Sequence, residues 1–206
     1  MAEHPPTTID LLRHGECDGG SIFRGTTNSP LSTKGWQQMT DTLAGQGGWQ
    51  RVATSPLSRC REFAEALATQ NQLPLSIVAD LREIDFGVWE GHEVAEVWRQ
   101  DALTANAYYA RPGSVTPAGG EPLERARRRV LAAWQQLLSR FRGQHLLAVT
   151  HGGTIRLLLN ALAGAPLSQC QFFAVPHASL SRVVVYSIEG QDRVQLQRHL
   201  PGATQC

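Results

Sequence analysis

Two short stretches carry residue types that together could transfer a phosphoryl group. Ile9 to Glu16 reads Ile-Asp-Leu-Leu-Arg-His-Gly-Glu, an apolar run that closes abruptly on Arg13, His14 and Gly15. Arginine is a permanent cation whose planar fork fits phosphate or carboxylate. Histidine is the side chain most readily poised as nucleophile or acid–base group near neutral pH. Side by side they suit a phosphate that one residue holds and the other attacks. His145 to Gly153 repeats the plan, with His151, Gly152 and Gly153 closing a second apolar run. A lone Arg-His-Gly at a strand end is usually a solvated turn. Two strands that each end in His-Gly would instead bring His14 and His151 to one sheet edge, where open α/β sheets bind ligands.

Other chemistry-bearing residues lie between these stretches. Arg59 and Arg61 fall in the first turn of a predicted helix whose apolar face is Cys60, Phe63, Ala64 and Leu67. Cations at a helix N-terminus oppose the macrodipole, and an anion bound at the free N–H groups there would account for one of them. Solvation of either arginine is the alternative. Glu83, Asp85 and Glu90 share the segment Leu81–Gly91 with Phe86 and Trp89. A carboxylate in apolar surroundings can serve as a general acid. The residues alone leave open which of the three would do so. His177 either borders the same pocket or is structural, and His4, His92, His145 and His199 read as surface or structural residues.

The elements that must position these groups alternate between strand and helix. Ile9 to Arg13, Arg51 to Ser55, Leu75 to Ala79 and His145 to Thr150 read as strands. Ser32 is a plausible N-cap for a helix with Trp36, Met39 and Leu43 on its buried face, stopped by Gly45 to Gly48. Ser55-Pro56 reads as N-cap and first position of the next helix. Val94, Val97 and Trp98 suggest a short helix, and Arg111 to Glu121, rich in Pro and Gly, a loop. Pro122 opens a long amphipathic helix through Phe141, in which the run Arg125, Arg127, Arg128 and Arg129 is mostly a solvated face. Ile155, Leu158, Leu159 and Leu162 mark a buried helix ending at Gly164. Ser181–Ser187 and Val194–Leu200 read as a hairpin turning at Glu189-Gly190-Gln191-Asp192. The expected fold is α/β, a three-layer α/β/α sandwich with a mostly parallel central sheet.

Length and composition bound the rest. A chain of 206 residues with 42% hydrophobic content fits one domain over 1–206, with 1–8 as a loose N-terminal tail. A net charge of +1 leaves no broad electrostatic footprint for nucleic acid or a membrane surface. One lysine and eighteen arginines make up the basic residues, a bias given no functional weight. Cys17, Cys60, Cys170 and Cys206 show neither a CxxC pair nor zinc spacing. With no secretory segment and no long apolar run, a reduced cytoplasmic setting is expected. A homodimer is left open.

Taken in order, Leu11-Leu-Arg-His-Gly-Glu16, Ser55-Pro-Leu-Ser-Arg59, Glu83 with Phe86-Gly-Val-Trp-Glu-Gly91, Gly119-Gly-Glu121 and Val149-Thr-His-Gly-Gly153 resemble the histidine phosphatase superfamily, in its phosphoglycerate-mutase-like branch. The resemblance runs from about Ile9 to Ser187. It implies a phosphohistidine mechanism with His14 as nucleophile. Arg13, Arg59 and His151 would hold the phosphoryl oxygens, and Glu83 would be the proton donor. Family position thus selects Arg59 over Arg61, and Glu83 over Asp85 and Glu90. No metal or cofactor is implied, and the partner is a small phosphorylated substrate. Phe23 to Ser32 resembles the Arg-Gly-x-x-Asp-x-Pro-Leu pattern of alpha-ribazole phosphatase-like members, which implies substrate contacts at Arg24, Gly25 and Asn28, with Gly152 joining them. Only about thirty residues separate Gly91 from Glu121, where mutases of this branch carry an insertion, so a phosphatase is favoured. Gly20 stands where many members have Asn, and Asn28 where the subgroup has Asp.

Other readings compete with this one. Within the family they are a phosphoserine or broad-specificity phosphatase, a phosphoglycerate-type mutase, and a phosphate-binding module without turnover. Cys17 and Arg24 invite a cysteine-phosphatase reading, but six residues separate them where that signature needs five. A metal-dependent phosphoesterase built on His14, His151, Glu16 and Glu83 lacks any i, i+4 or H-x-E ligand spacing.

Overall fold

The computed structural model describes residues 5–202. A six-stranded sheet runs through the centre in the order β3-β2-β4-β1-β5-β6. Its strands are β1 (Thr7–Arg13), β2 (Arg51–Thr54), β3 (Leu75–Ile77), β4 (His145–Thr150), β5 (Leu180–Ile188) and β6 (Gln191–Leu200). β3, β2, β4 and β1 are parallel; β5 and β6 add an antiparallel edge. The helices are α1 (Thr33–Leu43), α2 (Ser58–Gln70), α3 (Val94–Gln100), α4 (Ala102–Ala110), α5 (Leu123–Arg140) and α6 (Gly152–Leu162).

Strand alternation separates two cores. Ile9, Leu11, Leu146 and Ala148 face α5 and α6, where they meet Val130, Trp134, Leu137 and Ile155. Leu12, Val52, Leu147 and Val149 face α1 and α2, where they meet Met39, Phe63 and Ala64. The expected α/β/α sandwich is therefore observed. A third cluster stands to one side, with Phe23, Trp89, Val97 and Tyr108 joining α3 and α4 into a cap. One charge is buried within the sheet. Asp10 accepts from both Arg182 Nε and Nη2 (2.7 and 2.8 Å), from Trp49 Nε1 (2.8 Å), and pairs with His145 Nε2 at 2.9 Å. Burial pushes its carboxyl up, but these partners outweigh it and hold it down at about 2.

Three sequence expectations are corrected, and one helix was not foreseen. Thr7 and Thr8, read as tail, are strand residues, because Thr8 pairs with both His145 of β4 and Val184 of β5. The tail's first four residues and His4 lie outside the described residues, as does Cys206. α2 starts at Ser58 rather than at Pro56, and its N-cap residue, Leu57, makes no side-chain cap bond. α4 went unpredicted, since Ala102–Ala110 has no strong apolar stripe and forms only as part of the cap. Arg129 is not on the solvated face. It is buried in a two-pronged ion pair with Glu121 (2.9 and 2.6 Å), while Nη1 reaches the carbonyls of Asp80 and Arg82 at 2.8 and 2.9 Å. The fork satisfies a buried carboxylate and fastens the segment that leads into Glu83. The predicted N-cap at Ser32 is observed, with its hydroxyl accepting from Gly35 N at 3.0 Å.

Candidate active site

Strand register builds the site. Arg13 on β1 lies opposite Thr150 on β4, and Val149 lies opposite Thr54 on β2. Three adjacent parallel strands therefore end at one level, and the chain leaves them through His14, His151 and Ser55. The imidazoles of His14 and His151 meet edge to face, 5.2 Å between centroids. Gly15 turns so tightly against α1 that a Cβ there would stand 2.7 Å from Gly35 Cα.

His14 is held in one tautomer. Its Nδ1 lies 2.8 Å from the carbonyl of Gly15. A carbonyl can only accept, so Nδ1 carries the proton and Nε2 keeps a free lone pair. Burial, then the cations Arg13 and Arg59, pushes this imidazole well below its ordinary range, against a smaller pull from the Gly15 carbonyl. His14 is therefore neutral at neutral pH.

Arg13 and Glu83 flank it at the mouth of α6. Arg13 Nη1 donates to Val175 O at 2.6 Å, while its Nε is buried with no partner among the described residues. A buried donor left free beside a nucleophile is what an incoming anion would satisfy. Burial lowers this guanidinium to about 10, with Glu83 pulling the other way, so it stays cationic at neutral pH. Glu83 accepts from three backbone N–H groups: Ile84 (3.0 Å), Gly153 (3.0 Å) and Thr154 (3.1 Å). The two glycines after His151 make room for both groups. A Cβ on Gly152 would stand 3.0 Å from Arg13 Nε, and one on Gly153 2.7 Å from Glu83 Oε1.

Arg59 and His151 form the layer beneath. Both have no exposed surface. Arg59 Nε donates to His151 Nδ1 at 3.2 Å, which leaves the His151 proton on Nε2, 2.7 Å from Ser55 Oγ. The two Nη groups of Arg59 donate to the carbonyls of Thr27 (2.8 Å), Gly25 (2.7 Å) and Arg24 (3.2 Å). Burial and then Arg59 push His151 well below its ordinary range. Arg61 points outward and pairs loosely with Glu65 at 3.6 Å.

The remaining candidates divide. Arg24 lines the cavity in front of His14 and donates from Nη2 to the carbonyls of Asp18 (2.8 Å) and Gly20 (3.1 Å). Gly25 and Asn28 do not line that cavity. Gly25 gives its carbonyl to Arg59, and Asn28 Oδ1 accepts from Ser58 N at 2.8 Å, supplying the cap that α2 lacks locally. Of the three acids in the 83–90 segment only Glu83 lines the cavity. Glu90 clamps the loop instead, accepting from Gly25, Thr26, Thr27 and Phe86 N–H groups at 2.9–3.1 Å. Burial raises its carboxyl, but the Thr27 hydroxyl and then these N–H groups outweigh it, and the net shift is downward. Sequence reasoning did not single out Glu90, Ser55 or Arg129 as supports of the site.

The cavity measures about 750 Å³. Arg13, His14, Glu83, Gly152 and Gly153 form its floor, and Phe86, Tyr108 and Leu157 line the cap side. His177 also lines it, its ring 5.6 Å from that of His14. Cys17 lies 3.6 Å from His14 Nδ1, yet burial raises its thiol despite three nearby arginines, so no activated thiolate is present. Among the described residues no three His, Cys, Asp or Glu side chains are grouped as a metal ion would need, and no helix is long and apolar enough to cross a membrane.

The buried imidazoles make stability pH-dependent. Burial, and next to it Arg13, lowers His177 to about 4, and His14 and His151 also lie well below the ordinary value. Below about pH 6.5 the unfolded chain takes up protons that the folded chain refuses, so stability rises with pH and is lost as pH falls. Each such group contributes about 1.4 kcal/mol per pH unit below its unfolded pKa. The melting temperature is expected to drop steadily from pH 7 to pH 5; a flat calorimetric profile would contradict neutral burial of these rings.

Comparison with known proteins matches this geometry. The histidine phosphatase superfamily (branch 1) model aligns with residues 9–197. The bifunctional protein Rv2228c of Mycobacterium tuberculosis is 32% identical over 200 residues, covering 95% of this chain and 54% of that protein. The chain thus spans about half the length of that relative. The adenosylcobalamin/alpha-ribazole phosphatase of Escherichia coli is 28% identical over 177 residues, covering 84% of this chain and 87% of that enzyme. The structure of Bacillus stearothermophilus YhfR superposes with a TM-score of 0.84 at 28% identity, covering 93% and 96% of the two chains. Two histidines at the ends of adjacent parallel strands, backed by a buried arginine and matched along nearly the whole sequence, place this chain in the histidine phosphatase superfamily, branch 1.

Proposed function

We propose that this single domain is a metal-independent phosphomonoesterase that works through a phosphohistidine on His14. The observation that carries the reading is the Gly15 carbonyl on Nδ1, which leaves Nε2 as a neutral nucleophile beside the free donor of Arg13. In the first half-reaction Nε2 attacks phosphorus and the bond to the ester oxygen breaks. Protonated Glu83 gives its proton to that oxygen, which leaves as the alcohol. In the second half-reaction water attacks phosphorus, Glu83 takes the proton, and the P–N bond breaks to return neutral His14 and inorganic phosphate. Arg13 takes the developing charge directly. Arg59 and His151 supply positive potential and N–H dipoles from beneath, in a site already shaped for the purpose.

The substrate class is a small phosphorylated metabolite. Alpha-ribazole phosphate is one member to test, on the strength of the E. coli relative's name and the Arg24-Gly25 to Pro30-Leu31 pattern. Purified protein is expected to hydrolyse p-nitrophenyl phosphate in excess EDTA and to yield an acid-labile phosphoenzyme on rapid quenching. Glu83→Gln is expected to slow turnover of alkyl phosphates by about 10²–10⁴-fold and that of p-nitrophenyl phosphate, whose leaving group hardly needs the proton, far less. Activity abolished by EDTA and restored by metal would overturn the proposal, as would equal losses for both ester types.

A further inference from the structure

Arg156 stands at the first turns of α6, on the wall of the same cavity, and nothing in the phosphoryl-transfer scheme uses it. Its Nε donates to Phe173 O at 3.2 Å, which fixes the plane of the guanidinium. Its two Nη groups have no hydrogen-bond or ion-pair partner among the described residues.

The surroundings make this unusual. No acid among the described residues forms an ion pair with Arg156, and its neighbours on the cavity wall include Tyr108, Tyr109 and Cys170. Arg156 lies close enough to Arg13 to oppose its charge. Of the acids that line the cavity, Glu16 pairs with Lys34 at 2.9 Å, Glu83 is held by the α6 N-terminus, and Asp18 is exposed and makes no ion pair with Arg156. Arg24, the other spare cation of the wall, is turned back onto the carbonyls of Asp18 and Gly20. Arg13, with its free Nε, is the cation that would meet the transferred phosphoryl group directly, and Arg59 lends charge only from the buried layer beneath. A half-buried fork whose two Nη groups lack a protein partner, on the wall of the cavity and fixed in plane by Phe173 O, is placed to receive one anion.

We propose that Arg156 binds a second anionic group, a carboxylate or a further phosphate, on the alcohol portion of the substrate. The preferred substrates are then phosphomonoesters whose leaving group carries its own negative charge and packs apolar surface against Phe86, Tyr108 and Leu157. This rests on the phosphomonoesterase reading and narrows its substrate class. Within that class, esters with an uncharged leaving group turn over less well.

The test uses aryl phosphates matched except for one charge. Wild-type protein is assayed with 3- and 4-carboxyphenyl phosphate against the corresponding carbamoylphenyl phosphates, and 1,4-phenylene bisphosphate separates the phosphate source from the carboxylate. The kcat/KM ratio of charged to neutral ester is expected to favour the charged member by about tenfold, the scale of one charge-assisted hydrogen bond. Arg156→Leu is expected to bring the ratio to near one, and Arg156→Lys to keep part of it. No discrimination in the wild type would overturn the proposal. So would an Arg156→Leu variant that loses activity equally on both esters, which would make Arg156 a third holder of the transferred phosphoryl group. If the wild type hydrolyses none of these esters, the phosphatase reading fails separately. Calorimetric binding of the same pairs then decides the subsite, with a charge preference lost in Arg156→Leu supporting it and equal binding refuting it.

Discussion

Replacing His14 with alanine is expected to lower turnover of any phosphomonoester by about 10⁴–10⁶-fold, the scale seen when a covalent nucleophile is removed. No neighbour replaces it. His151 has Nδ1 turned to Arg59 and Nε2 to Ser55, and the Cys17 thiol is raised by burial. His177 sits 5.6 Å from the His14 ring, a different place relative to Arg13. The fold should survive, because the contacts that anchor position 14 belong to the backbone: His14 N donates to Thr150 O (2.9 Å) and His14 O accepts from Ala178 N (3.1 Å). Losing the bond to Gly15 costs about 1 kcal/mol. Inorganic phosphate should still bind, since the free Nε of Arg13 and the positive charge of Arg59 beneath it remain. The variant is checked by kcat/KM, melting temperature and phosphate titration together. A folded, phosphate-binding His14→Ala protein with more than about one percent of wild-type turnover would place the nucleophile elsewhere.

How much of this site was legible depended on how local its causes are. His14 and His151 could be read because each ends an apolar strand within a few residues, and parallel register then brings strand ends together. Arg13 and Gly152 could be read for the same reason. Ser55 was misread as a helix cap. In the chain it follows a strand and precedes proline, as caps do, but the register with Val149 delivers it to His151. The true cap of α2 comes from Asn28, thirty positions away, and no periodicity reports such a contact. Glu90 is similar: its carboxylate organises residues 25–27, whose carbonyls in turn hold Arg59. Arg129 did carry a signal. It lies three residues after buried Ala126 and four before buried Ala133, on the inward face of α5, but the neighbouring arginines made the whole run look solvated.

Arg59→Lys is the second large effect, and its size follows from shape rather than charge. Arg59 is fully buried and spends its fork on four acceptors: His151 Nδ1 and the carbonyls of Thr27, Gly25 and Arg24. An ammonium keeps the charge but has no planar fork to span a ring nitrogen and a loop at once. At least one loop carbonyl and the His151 nitrogen would lose their donor, at about 1–3 kcal/mol for each group left unsatisfied. Thr27, Gly25 and Arg24 belong to the segment clamped from outside by Glu90, so the loop would slacken on its inner side only. His151 would lose the donor that fixes its tautomer, and with it the orientation of the ring packed 5.2 Å from the nucleophile. Kinetics should therefore suffer beyond stability. The expected result is a fall in kcat/KM of about 10²–10³-fold, the scale of one lost transition-state donor, carried mainly by kcat, with a melting temperature lowered by several degrees. Assaying well below the lowered melting temperature separates the two effects. A variant that regained wild-type kcat once fully folded would reduce Arg59 to a strut for the 24–27 loop, and a persistent kcat defect would show that the fork serves turnover as well as folding, through the fixed His151 ring and the charge it places beneath the cavity.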